Sequence, residues 1–396
     1  MQPLSGRRVV EFCNIAAGPY CGCLLADFGA DVIKVEKPGG DDMRSWPPVN
    51  DGDSENFASI NRNKRSIVLD LKAPADRAIA MKLAARADVL LENNRPGVMG
   101  RLGLGYGDVA KLNRRIVYAS ISAFGQQGPS AETGGFDLTI QGLSGIMSVT
   151  GEDGAAPVKC GVPISDMATG LYAAFAISSA LLEVERTGQG AHIDISMLGA
   201  SLGVSALQTS EYFGSGRNAP PMGSRHPRNA PYQAFRARDG YFVMAAGNNA
   251  LFRAVCNVVG KPDLAEWPDF ATPTLRAANQ ADLAALLEEI FASQPARHWI
   301  AAFTAAGVPC GPINSFEDAL THPQVAHYGF VQALTLPSGR TTRTFGSPVV
   351  FDGMSNVVVR RPPALDEHRD EIIGEIHGSS SPGVPSGQSD QGDGDG

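Results

Sequence analysis

At 396 residues the chain is long enough for two domains and a sizeable core. Its 43% hydrophobic and 19% charged residues are the proportions of an ordinary water-soluble globular protein. The net charge is −8 and no Lys/Arg run or basic helix face occurs, which excludes nucleic acid as a natural partner. In chain order, the first elements read strand, helix, strand. Arg8–Phe12 is an apolar strand, Gly18-Pro19 opens a helix that Gly29 closes, and Asp31–Glu36 is a second strand. The alternation continues through a strand at 65–71, a helix at 75–86, and strands at 88–92 and 116–121. Such alternation predicts an α/β domain with a mostly parallel sheet covered by helices on both faces. A long apolar helix is predicted over Met167–Val184, a strand over Ala191–Ser196, and a further helix to about Ser210.

Residues 213 to 231 are rich in Gly, Pro, Arg and Asn and read as a linker. Residues 232–325 read as a smaller α+β domain, with a strand pair around Asp239-Gly240 and amphipathic helices at 249–258, 281–292 and 296–306. Residues 1–212 then form the N-terminal part of the large domain, and 326–377 return to it. The Gly/Ser/Pro/Asp-rich stretch 378–396 is predicted to be disordered. The N-terminus lacks the pattern of a signal peptide, and no apolar stretch reaches spanning length free of polar residues. The scattered cysteines form no CxxC pair and read as reduced thiols, so a cytoplasmic protein with no membrane partner is expected. The histidines show no metal-ligand spacing, and G-x-G-x-x-G and P-loop patterns are absent. No metal, nicotinamide or other redox cofactor is expected.

One segment carries chemistry. In Gly161-Val-Pro-Ile-Ser-Asp166-Met-Ala-Thr-Gly170, Ser165 and Asp166 fall at the N-cap and first turn of the long helix. Free backbone N–H groups and the positive end of the dipole meet there. Asp166 is therefore expected to stay ionised at neutral pH, with donors nearby for an oxyanion, as attack on an acyl carbon requires. Asp is also a common N-cap, which is the plain structural alternative. A rival nucleophile is Ser201 in Gly199-Ala-Ser201-Leu-Gly203, which fits the G-x-S-x-G of an α/β-hydrolase acting as a thioesterase. An elbow serine sits on the turn directly after its strand, whereas Met197-Leu198 already continue into a helix.

Read together, ordered blocks of this chain resemble the family III CoA-transferases, the group of formyl-CoA transferase and carnitine CoA-transferase. The blocks are Ala17-Gly-Pro19 with Leu25-Ala-Asp27 and Asp31-Val-Ile-Lys-Val-Glu36; Asn61-Arg-Asn-Lys64 with Leu69-Asp-Leu-Lys72; and Glu92-Asn-Asn-Arg-Pro-Gly97 with Arg101-Leu-Gly-Leu-Gly. They continue with Ser120-Ile-Ser-Ala-Phe-Gly125, Gly135-Phe-Asp-Leu-Thr-Ile-Gln141, Asp166-Met-Ala-Thr-Gly170 and Thr187-Gly-Gln-Gly190, so the likeness covers about residues 5 to 376. The resemblance implies a homodimer of interlocked protomers, each with a Rossmann-like large domain and a small domain. It implies a catalytic aspartate at Asp166, with coenzyme A as a substrate and no further cofactor. CoA contacts are implied at Asn14, Ala16, Ala17, Lys37, Leu69, Lys72, Asn93, Asn94 and Arg101. Lys37, Lys72 and Arg101 suit the CoA phosphates. Phe136 and Asp137 fall where the family places residues beside the acyl group.

Two departures bear on substrate. The glycine-rich active-site loop of formyl-CoA transferase is replaced by the short stretch 224–233, whose cations Arg225, His226 and Arg228 are candidates to meet a free carboxylate. The related acyl-CoA racemases need two acid/base groups, one a histidine at the position of Phe136; its absence argues against racemisation. Together with Pro231-Tyr-Gln-Ala-Phe235 and Gly247-Asn-Asn249, the short loop resembles dicarboxylate transferases of the succinyl-CoA:glutarate type, with succinyl-CoA as donor. A non-catalytic CoA-binding protein is the remaining alternative.

Overall fold

The computed structural model describes residues 1–378, and the predicted disordered stretch from 379 lies outside the described residues. The chain divides into two compact units.

The first unit comprises 1–140, 164–201 and, among the described residues, 330–378. Its elements are β1 (Arg8–Phe12), α1 (Ala17–Asp27), β2 (Asp31–Glu36), β3 (Lys64–Val68), α2 (Pro74–Ala85), β4 (Val89–Glu92), β5 (Val117–Ser122), α3 (Ile164–Thr187) and β6 (Ala191–Ser196). The strands form one six-stranded sheet in the order β3-β2-β1-β4-β5-β6, every neighbouring pair parallel. That is the Rossmann strand order, and its direction reverses between β1 and β4. A strand's side chains alternate between faces, so β1 sends Val9 to one side and Val10 to the other. Val9, Val89, Leu91, Val117 and Ile121 pack under α1 and α3, against Cys21, Leu25, Ala173, Ile177 and Leu181. Val10, Ile33, Ile67, Leu90 and Tyr118 pack under α2 and the C-terminal helix Arg369–His377, against Ala80, Leu83, Ala84, Ile372 and Ile376. Both faces are thus covered, as a parallel sheet requires.

Helix α3 is longer than the sequence pattern suggests. It starts at Ile164 and runs 24 residues, and its most apolar window has a mean hydropathy of 1.5. By length and composition alone it could cross a membrane, although Ser165, Thr169, Ser178, Ser179 and Glu183 lie along it. One stripe, Ala173, Ile177, Leu181 and Val184, is buried at helical spacing in the sheet-facing core. The opposite stripe is also apolar and faces outward within this unit, with Phe175 73% and Leu182 75% exposed. Helices α1 and α3 touch at Gly170. A Cβ there would stand 2.8 Å from the Tyr20 ring and 2.9 Å from the Ala17 carbonyl oxygen. Only glycine lets the two backbones approach this closely.

The second unit comprises 141–163 and 202–329. It therefore takes in more than the predicted small domain at 232–325. The stretch predicted as a linker from 213 to 231 belongs to it, and so does the segment before α3. Its sheet pairs β7 (Tyr232–Ala237), β8 (Gly240–Ala245) and β9 (Cys310–Pro312), antiparallel, in the order β9-β8-β7. Helices α4 (Asn249–Val258), α5 (Gln280–Phe291) and α6 (Ala296–Ala305) supply an aromatic core with it: Phe235, Phe242, Phe252, Phe291, Trp299 and Phe303. A fully buried arginine, Arg276, donates to the carbonyls of Ala230 and Phe270 and to Asn249, and lies over the Phe252 ring. It thereby ties the chain entering β7 to the helices.

Candidate active site

The site forms where an open parallel sheet places its ligands, beyond the carboxyl ends of the strands at the switch between β1 and β4. The loop 13–16 leaves β1, the loop 93–97 leaves β4, and Ser122 and Ala123 end β5. With Gly134–Phe136, Met197 and Asp166 of α3, they enclose a cavity of about 240 Å³. A second cavity of about 490 Å³ lies in the same unit and is lined by Asn14, Lys37, Leu69, Lys72, Asn94 and Arg101. Asn14 and Asn94 line both.

The residues expected to contact CoA therefore sort into two groups. Lys37, Leu69, Lys72 and Arg101 border the larger cavity. Ala16, Ala17 and Asn93 border the smaller, together with Phe136 and Asp166. Asn14 and Asn93 hold the two loops together reciprocally: Asn14 N–H donates to Asn93 Oδ1 at 3.0 Å, and Asn93 Nδ2 donates to the Asn14 carbonyl at 2.9 Å. Glu92, at the end of β4, accepts the Asn94 N–H at 2.8 Å. Ile15, Arg95 and Thr133 also line the smaller cavity and were not singled out from sequence. Ile15 has φ +67°, a left-handed backbone that a β-branched residue adopts at a cost of about 1–3 kcal/mol.

The environment of Asp166 differs from expectation. The N-terminal amides of α3 are engaged by another carboxylate: Asp137 Oδ1 accepts the Ser165 N–H at 2.9 Å and the Asp166 N–H at 3.4 Å. Asp137 thus acts as the helix cap from 28 residues before Ser165, a role local sequence does not display. Asp166 is left partly buried beside that second negative charge. Burial, reinforced by Asp137, pushes its carboxyl up to about 7, so it is not simply ionised by the helix terminus. Such a group at neutral pH is present as acid and carboxylate together, and its ionised form is weakly solvated.

Ser201 does not fit the hydrolase alternative. It lies within the helix Met197–Val204, is fully buried, and donates to Ser165 Oγ at 2.9 Å; it does not line the cavity. Among the described residues no cluster of His, Cys, Asp and Glu could hold a metal ion.

Comparison with known proteins decides the family. The model of CoA-transferase family III matches residues 4–369. The chain belongs to CoA-transferase family III. It is 38% identical over 378 residues to the succinyl-CoA:glutarate CoA-transferase of Mus musculus, covering 95% of this chain and 87% of that protein. It is 41% identical over 368 residues to the acetyl-CoA:oxalate CoA-transferase of Acetobacter aceti, covering 92% and 93%. The crystal structure of a CAIB/BAIF family protein from Brucella suis superposes with a TM-score of 0.84 at 40% identity, covering 95% of this chain and 99% of that one.

The chain is thus an enzyme of CoA transfer, and the cations expected at its short loop can be placed. Arg225, His226 and Arg228 all lie in the second unit. Arg228 pairs with Glu211 at 2.8 Å, and Arg225 Nε donates to the Met222 carbonyl. His226 is a loop organiser. Its Nδ1 accepts the N–H groups of Arg228 and Asn229, both at 3.1 Å, and its ring meets Tyr232 edge-on. Burial, then Arg228, lower its pKa, so the neutral form is favoured and His226 is not the cation expected.

Proposed function

We propose that this CoA-transferase moves CoA from a dicarboxylic acyl-CoA, such as succinyl-CoA, to a free dicarboxylic acid, with Asp166 as the covalent carrier. The observation that carries this reading is the position of Asp166 in a small cavity that shares Asn14 and Asn94 with a larger cavity bordered by Lys37, Lys72 and Arg101. The larger holds the CoA phosphates and the smaller the thioester. The names of the mouse and Acetobacter relatives support dicarboxylates as substrates.

The ionised carboxylate of Asp166 attacks the thioester carbonyl. The C–S bond breaks, CoA leaves as thiolate, and a mixed anhydride remains. The thiolate attacks the aspartyl carbonyl of that anhydride and expels the donor acid as its carboxylate, leaving an aspartyl–CoA thioester. The acceptor carboxylate attacks this thioester, releasing the thiolate again and forming a second anhydride. The thiolate then attacks the acceptor's acyl carbon, which yields the new acyl-CoA and free Asp166. Each step exchanges an activated acyl group for another, so no net proton transfer is required. We propose Arg225, and Arg228 once freed from Glu211, as partners of the distal carboxylate. Arg225→Ala should weaken use of dicarboxylates by about ten- to a hundredfold, the worth of one charge-assisted contact, and affect monocarboxylates less.

We further propose that the protein works as an interlocked homodimer. The outward apolar stripe of α3, with Leu171, Phe175 and Leu182 exposed, supports it, because an uncovered patch of this kind is costly in water. The test of function is direct. Purified protein with succinyl-CoA and glutarate or oxalate should form the corresponding acyl-CoA, and Asp166→Asn should form none. Release of free CoA without any acceptor acid would point to hydrolysis instead.

A further inference from the structure

The loop that separates the two cavities is held by a set of charges that the reaction itself does not use. Beneath residues 13–16 runs a buried row of alternating ions. Lys34, fully buried, contacts Asp41 Oδ2 at 2.8 Å and Glu11 Oε1 at 3.1 Å, and donates to the Cys13 carbonyl at 2.9 Å. Lys64, also fully buried, contacts Glu11 Oε2 at 2.9 Å and donates to the Pro19 carbonyl and to Asn61. The other oxygen of Asp41, Oδ1, accepts the N–H of Ile15 at 3.2 Å and of Met43 at 3.0 Å. Buried ion rows rarely stabilise a fold better than apolar residues would. This one ends on the backbone of the single loop residue in the left-handed region, and that residue lines the cavity of Asp166.

We propose that Asp41 is a positioning residue for CoA transfer: clamped by Lys34, it holds Ile15 in its left-handed conformation and so fixes the wall between the CoA groove and the cavity of Asp166. The inference rests on the transferase reading above. An acyl-CoA crosses that wall with its pantetheine arm, so the wall sets where the thioester carbonyl stops. Displacing it changes the approach to Asp166 more than it changes the grip on the phosphates, which lies with Lys37, Lys72 and Arg101. The effect therefore falls on kcat rather than on CoA affinity.

The experiment compares Asp41→Ala, Asp41→Asn, Ile15→Pro and the double variant Asp41→Ala/Ile15→Gly. For each, kcat per mole of folded protein and the Kd of free CoA are measured. Asp41→Ala removes the acceptor and should lower kcat by about ten- to a hundredfold, with Kd changed less than about threefold. Asp41→Asn keeps an acceptor oxygen and should recover most of that loss. Glycine reaches φ +67° without help, so Ile15→Gly should restore at least about fivefold of the kcat lost in Asp41→Ala. Ile15→Pro leaves the ion row intact, removes the N–H and forces φ negative. It should fold, bind free CoA and lose transfer by about a hundredfold or more, and it decides the matter if the Asp41 variants do not fold. An Ile15→Pro enzyme with kcat near wild type overturns the proposal, as does an Asp41→Ala loss that Ile15→Gly leaves unrelieved. Wild-type protein that transfers no CoA would overturn the transferase reading and this inference together. Wild-type transfer with indifferent variants would overturn this inference alone.

Discussion

A carboxylate that attacks a thioester must be ionised and poorly solvated, and these demands oppose one another. Asp166, the nucleophile proposed, has a carboxyl pushed up to about 7 by burial and by Asp137. If the free enzyme must be ionised there, kcat/KM for acyl-CoA should rise with pH up to about 7 and level off above it. Asp137→Asn keeps a cap for α3 but removes the neighbouring charge. It should move that rise to lower pH without returning it to the ordinary carboxylate range, because burial remains; an unmoved pH profile would exclude the coupling. Stability follows the same linkage. Asp166 holds its proton more tightly folded than unfolded, so its contribution favours folding below about pH 4 and is lost as pH rises through about 7. Asp166→Asn should therefore be the more stable protein at pH 8, by up to about 4 kcal/mol, with the gap closing toward pH 4. Thermal denaturation of both proteins across that range checks the sign.

At the scale of elements, the close crossing of α1 and α3 sets Asp166 against the loop after β1. Gly170→Ala would put a methyl group within 2.8 Å of Tyr20 and 2.9 Å of the Ala17 carbonyl oxygen. It should cost about 1–3 kcal/mol, as overpacking does, seen as a lower Tm, and should reduce transfer because Ala17 lines the site. The strands of the parallel sheet are legible because each carries Val, Ile or Leu, even where a buried Glu11, Lys34 or Lys64 interrupts it. The position of Asp166 on a helix was legible too, from Ser165-Asp166 before an apolar run. Its chemistry was not, because the group that takes the helix amides, Asp137, is distant in sequence and only folding brings it there. Ile15 is not legible either, since nothing in Cys13-Asn-Ile-Ala16 announces a left-handed backbone. Arg276 reads as a surface cation until its carbonyl partners are known.

At the scale of the molecule, the order of strands follows from alternating elements, but the borders of the second unit do not. Residues 141–163 and 202–231 are polar, Gly/Pro-rich or of mixed period, and such segments carry no pattern that names the neighbour they pack on. The outward stripe of α3 is where an oligomer should show itself. Sedimentation should find a dimer, and Phe175→Glu with Leu182→Glu should weaken it and lower activity; a fully active monomer would contradict the assembly proposed. The central claim is that Asp166 carries CoA. The most direct measurement is the intact mass of the protein after incubation with acyl-CoA alone, followed by hydroxylamine and peptide mapping. The account predicts a hydroxylamine-labile adduct with the mass of CoA on the peptide containing Asp166, absent in Asp166→Asn. An acyl adduct elsewhere, or an Asp166→Asn enzyme that still transfers CoA, would contradict it.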